Sequence, residues 1–274
     1  MNESATTAPV HKGVTVHQGV MLAPPPPVCP PGWRTGAPDF VGVGAQRSGT
    51  TWWFDLVVAH PGIEAPPATR KELHYFDRFH AGGFTAADAV AYGDYFPRPE
   101  GRLTGEWTPV YLAAPWAPAM LAAAACEAKL LVILRDPIER YLSGLQRHHR
   151  TAHATGAPLN AMAPLEAFMR GFYHAQLTHL LAHFERSRVL ILQYERCVRD
   201  PLEQLRRTFA FLGVDDGGFT PDLAAHPNRQ PQKPELHPDA RRALVEAYAP
   251  DVAALSDRFP EIDVALWPNF AHLG

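Results

Sequence analysis

The stretch FVGVGAQRSGTTWW, residues Phe40 to Trp53, decides how the chain begins to fold. Its first five residues, Phe40–Gly44, form a short apolar run, which predicts a strand that stops in a turn rich in Gly and Ser. The residues from Thr50 to Ala59 then predict a helix. A strand that enters a helix through such a turn suits an anion, because backbone N–H groups converge at the helix N-terminus and the helix dipole adds partial positive charge there.

The side chains of this loop point to phosphate. Arg47 brings a full positive charge, and Ser48, Thr50 and Thr51 bring hydroxyl donors that suit phosphate oxygens. The loop differs from that of nucleoside triphosphatases, whose pattern is G-x-x-x-x-G-K-[ST], because Thr50 follows Gly49 and the cation precedes the Gly. A Gly turn with a surface Arg and two N-cap hydroxyls would give the same residues, so the loop alone leaves both interpretations open.

Two further apolar runs predict the rest of the sheet. Lys129–Leu134 (KLLVIL) and Arg188–Gln193 (RVLILQ) are continuous apolar segments, each followed by a helical segment. Continuous apolar strands bounded by helices are typical of a parallel sheet covered on both faces. The predicted fold class is therefore α/β, with three layers in one domain. The predicted helices are Pro137 to about Arg150, Pro164 to Phe184, Pro201–Leu212 and Pro238–Arg258.

Three details complete this secondary-structure prediction. Asp136 and Asp200 precede Pro residues at two helix starts, which predicts that both act as N-caps. The segment from Ala65 to Tyr111 is predicted to be rich in loops. Within it, Arg102 to Glu106 gives a weak strand signal.

The composition is that of an ordinary globular protein, with 46% hydrophobic and 19% charged residues in a chain of 274. A formal net charge of −3 gives no reason to expect a nucleic-acid partner. The three Cys are far apart and form no C-x-x-C, which excludes a zinc ribbon or a disulfide framework, and no metal site is predicted. No apolar run approaches the ~20 residues of a membrane span, so no integral membrane segment is predicted.

The N-terminal region differs from the rest in composition. Eight of the 28 Pro fall in the first 38 residues. We therefore predict a Pro-rich extended or disordered arm over residues 1–38 and a single domain over residues 39–274. This region carries Glu3 and no continuous apolar segment, which is atypical of a signal peptide and favours a cytoplasmic location.

A second phosphate motif follows the KLLVIL strand. Arg135 comes directly after this strand, at the edge where α/β sheets bind ligands. Ser143 lies eight residues later, two turns into the predicted helix. An Arg and a hydroxyl can together hold a phosphate monoester, because the planar guanidinium contacts two oxygens at once. An Arg paired with a neighbouring acid, beside a capping Asp136, is the alternative for this motif alone.

The two motifs, in this order, resemble those of sulfotransferases that use 3′-phosphoadenosine 5′-phosphosulfate (PAPS). FVGVGAQRSGTTWW resembles their 5′-phosphosulfate loop, in which most members have Lys at the place of Arg47. The run R-D-P-x-x-R-x-x-S from Arg135 to Ser143 resembles their 3′-phosphate motif. The resemblance spans about Asp39 to Phe270 and implies a P-loop-like fold and PAPS as cofactor. The cofactor-binding residues predicted with it are Arg47, Ser48, Gly49, Thr50, Thr51, Trp52, Arg135, Ser143, Tyr194, Arg229 and Lys233.

A charged pair before an aromatic cluster supplies candidates for a base. Transfer of a sulfuryl group is an in-line displacement in which the acceptor loses a proton and the leaving oxygen gains negative charge; Arg47 can stabilise that charge. In the segment KELHYF from Lys71, either Glu72 or His74 could take the proton. The segment resembles K-E-x-x-[FY]-F of the glycosaminoglycan-type branch, whose Glu is the catalytic base. We therefore assign Glu72 and keep His74 as the second candidate.

One position departs from the family pattern. GEWTPVY, from Gly105 to Tyr111, resembles G-E-K-[ST]-P-x-Y, but Trp107 replaces the Lys that often contacts the sulfuryl end of the cofactor. Lys71, Arg229 or Lys233 could supply the missing charge. Trp107 could instead line an acceptor pocket.

The sequence thus predicts transfer of a sulfuryl group from PAPS to a hydroxyl or amine of a sugar, a glycolipid or a natural product. High Ala, Pro and Arg usage suggests a bacterial source. The alternatives are a small-molecule kinase with a P-loop-like fold and a catalytically inactive nucleotide-binding or interaction module. The sequence leaves the oligomeric state open.

Overall fold

The structure is a computed structural model that describes residues 15–17, 20–66, 71–215, 217–223 and 235–274. Its strands are β1 (Thr15–His17), β2 (Val20–Leu22), β3 (Phe40–Gly44), β4 (Ile63–Glu64), β5 (Leu103–Trp107), β6 (Lys129–Leu134) and β7 (Val189–Gln193). Its α-helices are α1 (Thr50–Val58), α2 (Ala86–Tyr92), α3 (Ala117–Ala125), α4 (Pro137–Thr155), α5 (Ala163–Met169), α6 (Tyr173–Leu180), α7 (Tyr194–Arg199), α8 (Pro201–Leu212) and α9 (Pro238–Arg258).

The central sheet has five parallel strands in the order β4-β5-β3-β6-β7, which confirms the predicted α/β class. β3 lies in the middle, where Phe40 pairs with Gly105 of β5 and with Lys129 of β6. The carboxyl ends of β3, β5 and β6 therefore meet at one edge of the sheet. β1 and β2 pair antiparallel in a separate small sheet.

Helices cover both faces of the sheet, as the continuous apolar strands predict. Leu130, Val132 and Leu134 of β6 belong to a cluster that includes side chains of α3, α4, α6 and α9. The alternate residues Leu131 and Ile133 belong to a second cluster with side chains of α1 and α8. Successive strand residues point to opposite faces, so both sets are buried, and each such side chain stabilises the fold by about 1.5–3 kcal/mol.

Both predicted N-caps are confirmed. Asp136 accepts hydrogen bonds from Ile138 N at 2.8 Å and Glu139 N at 3.2 Å at the start of α4, and Asp200 accepts one from Glu203 N at 3.2 Å at the start of α8. α4 continues beyond the predicted end near Arg150 to Thr155. Gly156, with a φ of 68°, ends it in the left-handed conformation that glycine favours.

The predicted single helix from Pro164 to Phe184 is wrong. Two helices, α5 and α6, occupy this region, and the chain leaves the helical conformation at Phe172, whose ψ is 77°. The break lies where Tyr248 of α9 packs against Gly171: a Cβ at this glycine would lie 2.6 Å from the Tyr248 ring. Helical periodicity continues across the break, so only the tertiary contact reveals it.

The segment predicted to be rich in loops also contains α2, which the sequence analysis missed. Thr85 and Asp88 form a capping box at its start: Thr85 Oγ1 accepts from Asp88 N at 3.3 Å, and Asp88 Oδ2 accepts from Thr85 N at 3.0 Å. The T-x-x-D spacing was a usable signal.

The described part of the predicted arm contacts the domain. The Tyr95 hydroxyl donates to Pro24 O at 2.7 Å, and Arg34 and Arg98 exchange backbone hydrogen bonds of 3.0 and 2.9 Å. The Arg98 guanidinium also pairs with Asp39 at 2.9 Å. The domain boundary at Asp39 stays a prediction. No helix among the described residues is long and apolar enough to cross a membrane.

Candidate active site

The candidate site lies at the edge of the sheet where β3, β5 and β6 end. Residues 45–49 join β3 to α1, and Arg135 follows β6 directly. The segment that starts at Lys71 reaches the same edge, because Trp107 N, at the end of β5, donates to Lys71 O at 2.7 Å. Three segments that are distant in sequence thus converge at one place.

Backbone contacts fix the loop between β3 and α1. Ala45 N donates to Ile133 O at 2.9 Å, and Ser48 N donates to Ala45 O at 3.2 Å. Gly49 has a φ of 83°, and a Cβ at this position would lie 2.6 Å from the Tyr194 ring. Glycine is therefore required here by backbone conformation and by space. The loop delivers the chain to the N-terminus of α1, whose first N–H groups have no acceptor within the helix.

Arg47 connects the two predicted phosphate motifs. Its Nε donates to Ser143 Oγ at 3.2 Å, and a guanidinium nitrogen of Arg135 donates to Arg47 O at 3.4 Å. The Arg135 guanidinium also lies 4.8 Å from the centre of the Tyr194 ring, a cation–π distance. The structure thereby brings together four of the predicted cofactor-binding residues from β3–α1, β6–α4 and α7.

This cluster has an excess of positive charge. Burial, and then the charges of Arg147, Arg150 and Arg135, lower the pKa of Arg47 to about 10. Glu72 acts in the opposite direction, as the smallest of these influences. Arg135 forms an ion pair with Glu139 at 3.6 Å, and its charge also reaches the carboxyl groups of Asp136 and Glu195. A dianionic phosphate at this place would relieve the repulsion among the guanidinium groups.

The loop also fits a phosphate on the grounds of hydrogen bonding. The Ser48 hydroxyl is buried near the Tyr173 hydroxyl, and no described residue forms a hydrogen bond of good geometry with it. Such a group usually has a partner, which a bound oxyanion would provide. The exposed Thr51 and the half-buried Arg47 flank it on the same turn.

Glu72 lies between two cations. Its Oε1 accepts from Lys71 Nζ at 2.7 Å, and its Oε2 is 3.3 Å from His74 Nε2. Burial acts to raise the pKa of Glu72, but the hydrogen bond from His74 and the charge of Lys71 outweigh it and hold this pKa at about 2. The low pKa means that the carboxylate is ionised at neutral pH. About a third of the Glu72 side chain is exposed, so the carboxylate is also accessible.

His74 is held in turn by Asp77, whose Oδ2 is 2.9 Å from His74 Nδ1. Burial acts to lower the pKa of His74, but the contacts with Asp77 and Glu72 raise it to about 9. His74 is therefore an imidazolium at neutral pH, with both ring nitrogens donating. Lys71, Glu72, His74 and Asp77 form a chain of alternating charges.

Lys71 joins this chain to the phosphate loop. Its Nζ donates to Thr50 Oγ1 at 3.4 Å and to Trp107 O at 3.3 Å, besides Glu72. The side chain is mostly buried, and burial lowers the pKa of Lys71. Its ammonium group thus lies between the α1 N-terminus and the candidate base.

Comparison with known proteins identifies the family. The sequence model of the family described as "Sulfotransferase domain" matches residues 37–224, well over half of the chain. The chain belongs to the sulfotransferase family. The parallel α/β fold is the one expected of a member.

Curated relatives of this sulfotransferase include enzymes named for heparan sulfate. Mouse heparan sulfate glucosamine 3-O-sulfotransferase 3A1 is 32% identical over 188 residues, which covers 65% of this chain and 46% of the relative. Human bifunctional heparan sulfate N-deacetylase/N-sulfotransferase 3 is 28% identical over 202 residues, which covers 65% of this chain and 22% of the relative. The matched region therefore spans less than half the length of these two proteins.

Solved structures support the same assignment. A sulfotransferase from Alicyclobacillus acidocaldarius superposes with a TM-score of 0.66 at 26% identity, covering 85% of this chain and 99% of that one. Sulfotransferase STF9 from Mycobacterium avium gives a TM-score of 0.57 at 15% identity, covering 82% and 77% of the two chains. The second likeness concerns the fold alone.

The suggestion that Trp107 lines an acceptor pocket is wrong for this sulfotransferase. Trp107 is fully buried, its Nε1 donates to Gly44 O at 3.3 Å, and a Cβ on Gly42 would lie 1.9 Å from its ring. The indole fills the space beside β3 that the missing side chain of Gly42 leaves. Its hydrogen bond to the carbonyl of Gly44 holds the end of β3, where the phosphate loop begins.

The remaining predicted cofactor-binding residues fall into two groups. Trp52 is 4% exposed and packs edge-on against Trp53 in the cluster beside α8, so its role toward a cofactor stays a prediction. Arg229 and Lys233 lie outside the described residues.

A buried network that was not predicted from the sequence lies beneath the base. Glu106, at the end of β5, accepts from Leu73 N at 3.1 Å, from Tyr92 OH at 2.6 Å and from Thr108 Oγ1 at 2.5 Å. Thr108 Oγ1 in turn accepts from His74 N at 3.2 Å. The G-E-x-[ST] pattern contained two of these residues, but nothing in the sequence indicated that they hold the backbone of residues 73 and 74.

Proposed function

We propose that this sulfotransferase transfers a sulfuryl group from PAPS to a hydroxyl or an amine of a sugar-containing acceptor. The observation that carries the proposal is the contact of Arg47 with both Ser143 and Arg135, next to an ionised Glu72. The two predicted phosphate motifs meet there, and the charge of Glu72 reaches Arg47. A ligand with two phosphate-like ends matches this arrangement.

The loop side chains would hold the phosphosulfate end. When bound, PAPS supplies a sulfuryl group on a good leaving phosphate. The N–H groups at the start of α1 and the hydroxyls of Ser48, Thr50 and Thr51 donate to its oxygens, and Arg47 compensates the charge that grows on the leaving oxygen. Arg135 and Ser143 hold the 3′-phosphate, and the Gly49–Tyr194 contact fixes the turn between the two ends.

Glu72 is the base in this proposal, and His74 positions it. His74 has both ring nitrogens protonated at neutral pH and donates toward Glu72 and Asp77, so it has no free lone pair for a proton. Glu72 keeps an accessible carboxylate. An anionic ligand near Lys71 competes for the ammonium charge and raises the pKa of Glu72 from its low value, which makes the carboxylate a better proton acceptor.

Lys71 supplies the positive charge that a Lys at position 107 would provide and that Trp107 lacks. Its Nζ lies 3.4 Å from Thr50 Oγ1 and 3.3 Å from Trp107 O, the backbone of the position at which the family often has Lys. An ammonium group thus lies beside the backbone of position 107, but it comes from the segment between β4 and α2. It would contact the sulfuryl oxygens and hold Glu72 at the same time.

The acceptor class follows from the relatives and from the KELHYF segment. Both curated relatives are named for heparan sulfate, one as a glucosamine 3-O-sulfotransferase and the other as an N-deacetylase/N-sulfotransferase. We therefore place a sugar hydroxyl or amine first. The kinase alternative loses support because the chain belongs to the sulfotransferase family. The intact charge chain from Lys71 to Asp77 weighs against an inactive module. A bacterial source and a cytoplasmic location stay predictions.

A transfer assay tests the proposal directly. Purified protein is incubated with PAPS that carries labelled sulfate and with a panel of mono- and disaccharides bearing free hydroxyls or amines. We expect label in at least one product, identified by a mass increase equal to one sulfuryl group. Equal transfer from ATP and Mg²⁺, with a phosphoryl group in the product, would favour a kinase instead.

A further inference from the structure

Exposed apolar side chains concentrate on one short region beside the candidate site. Among the described residues, seven large hydrophobic side chains are at least 50% exposed, and four of them fall between residues 159 and 169. Monomeric proteins scatter such side chains singly, and a group of them marks an interaction surface. These four residues, which we call the α5 face, are Leu159, Met162, Leu165 and Met169.

The helix geometry explains why three of these side chains share a face. Met162, Leu165 and Met169 follow the i, i+3, i+7 spacing of one side of a helix. The other side is occupied by α4: Ala167 is buried, its Cβ faces Gly144, and its carbonyl accepts from the Arg140 guanidinium. The α5 face is therefore the side of the helix that the domain leaves uncovered.

Two contacts place this face next to the anion site. Arg170, directly after α5, donates to the Gln46 side chain in the phosphate loop. α4, on which α5 packs, carries Ser143 and also the exposed Arg147 and Arg150, whose charges reach Arg47. The single acid of α5, Glu166, is paired with Arg170 at 3.4 Å. The apolar face thus has a basic border on its active-site side.

We propose that the α5 face docks onto an anionic lipid bilayer, and that the enzyme acts on acceptor groups presented at that surface. An exposed apolar helix face bordered by arginines is the composition of segments that lie in a membrane interface. The acceptor class becomes the sugar or amine headgroup of a lipid; this part rests on the proposed function, whereas docking itself does not.

Electrostatics favours a bilayer over a second copy of the chain. In a two-fold dimer the same patch would meet itself, which would bring two basic borders into one interface. Anionic headgroups instead compensate these charges, and each Arg near such a surface strengthens binding about fivefold. The apolar side chains would then enter the boundary between headgroups and acyl chains.

Vesicle binding tests the docking without reference to activity. The full chain is sedimented with phosphatidylcholine vesicles that contain 0% or about 30% phosphatidylglycerol, a content chosen to give a strong anionic surface. We expect binding to the anionic vesicles, a loss of about tenfold or more in Leu165→Glu/Met169→Glu, and a loss on raising the salt concentration. Val90→Glu makes the same exchange of an exposed apolar side chain for a carboxylate, but on α2, and this variant should bind like the wild type.

The outcomes separate docking from the proposed function. The melting shift with adenosine 3′,5′-bisphosphate must be equal in wild type and Leu165→Glu/Met169→Glu, which shows that the variant is folded with an intact cofactor site. If the wild type ignores anionic vesicles, or if the double variant binds them as well as the wild type, the docking proposal is overturned. A concentration-dependent dimer that the double variant abolishes, without vesicle binding, also overturns it and identifies a second copy as the occupant. Failure of sulfate transfer with vesicle binding retained would count against the proposed function alone.

Discussion

The two sides of the candidate site handle charge in opposite ways. On the phosphate side, Arg47 is surrounded by the positive charges of Arg135, Arg147 and Arg150, and its pKa falls to about 10. On the base side, Lys71 and His74 alternate with Glu72 and Asp77 at distances of 2.7–3.3 Å. The first side has an excess of guanidinium groups, whose repulsion an anionic ligand would relieve. On the second side, positive and negative groups compensate one another without a ligand. Such an arrangement suits proton transfer.

The largest expected effect comes from removing the base, which should abolish the function of one side of the site and leave ligand binding on the other side intact. Glu72→Gln keeps the shape of the side chain and its contact with Lys71 but lacks an ionised acceptor for the proton. We expect kcat for sulfate transfer to fall about 10²–10⁴-fold, with the affinity for adenosine 3′,5′-bisphosphate nearly unchanged. A variant that retains more than a tenth of the wild-type kcat would show that Glu72 is not the base.

The converse effect comes from the phosphate side. Arg135→Ala removes the guanidinium assigned to the 3′-phosphate, and charge-assisted hydrogen bonds of this kind contribute about 1.5–3 kcal/mol. We expect the affinity for adenosine 3′,5′-bisphosphate to fall about 10–100-fold, while the affinity for AMP, which lacks the 3′-phosphate, changes little. Arg196→Ala, which removes a surface Arg paired with Asp263, is the matched control. Equal losses for both nucleotides would contradict the assignment.

The charge of His74, on the base side, should also affect how the free energy of unfolding depends on pH. The folded-state pKa of His74 is raised from 6.5 to about 9, so its contribution is fully present below pH ~6.5 and is lost as the pH rises through ~9. We expect the free energy of unfolding to fall by about 1–3 kcal/mol between these pH values. Urea unfolding at both ends of the range measures this fall. His74→Gln should lack it; an identical fall in that variant would assign it to another group.

The smallest expected effect tests whether Asp77 acts through His74. Asp77→Asn removes the stronger of the two carboxylate partners, so the pKa of His74 drops toward its ordinary value. We expect kcat to decrease about tenfold with KM unchanged, and the decrease should be greatest above the lowered pKa, where His74 is neutral. Titration of the His74 ring by NMR gives the pKa independently. A uniform loss at all pH values would indicate a structural role only.

The two sides also differ in how far the sequence predicts them. The phosphate side consists of local motifs after apolar strands, so Arg47, Gly49 and Arg135 could be found from spacing and turn chemistry. Their contact follows from strand order, because β3 and β6 are neighbours and their carboxyl ends coincide. The same reasoning gives the parallel sheet.

The base side is assembled by contacts that no local pattern contains. Glu106, Tyr92 and Thr108 hold the backbone of residues 73 and 74 from two other elements, and Asp77 completes the charge chain. Trp107 was misplaced for a related reason: its burial depends on the space beside Gly42 and on the carbonyl of Gly44, both in the neighbouring strand. The break between α5 and α6 likewise depends on Tyr248, more than 70 residues away in sequence.

Calorimetric titration with nucleotides tests the central claim most directly, because the surplus charge around Arg47 and Arg135 is assigned to one kind of ligand. Wild-type protein is titrated with adenosine 3′,5′-bisphosphate, AMP and ATP in the absence of metal ions. The account predicts that adenosine 3′,5′-bisphosphate binds about 10-fold or more tightly than AMP, since only it engages both phosphate motifs, and that ATP binds more weakly. No binding of adenosine 3′,5′-bisphosphate at millimolar concentration, or a preference for ATP, would contradict it.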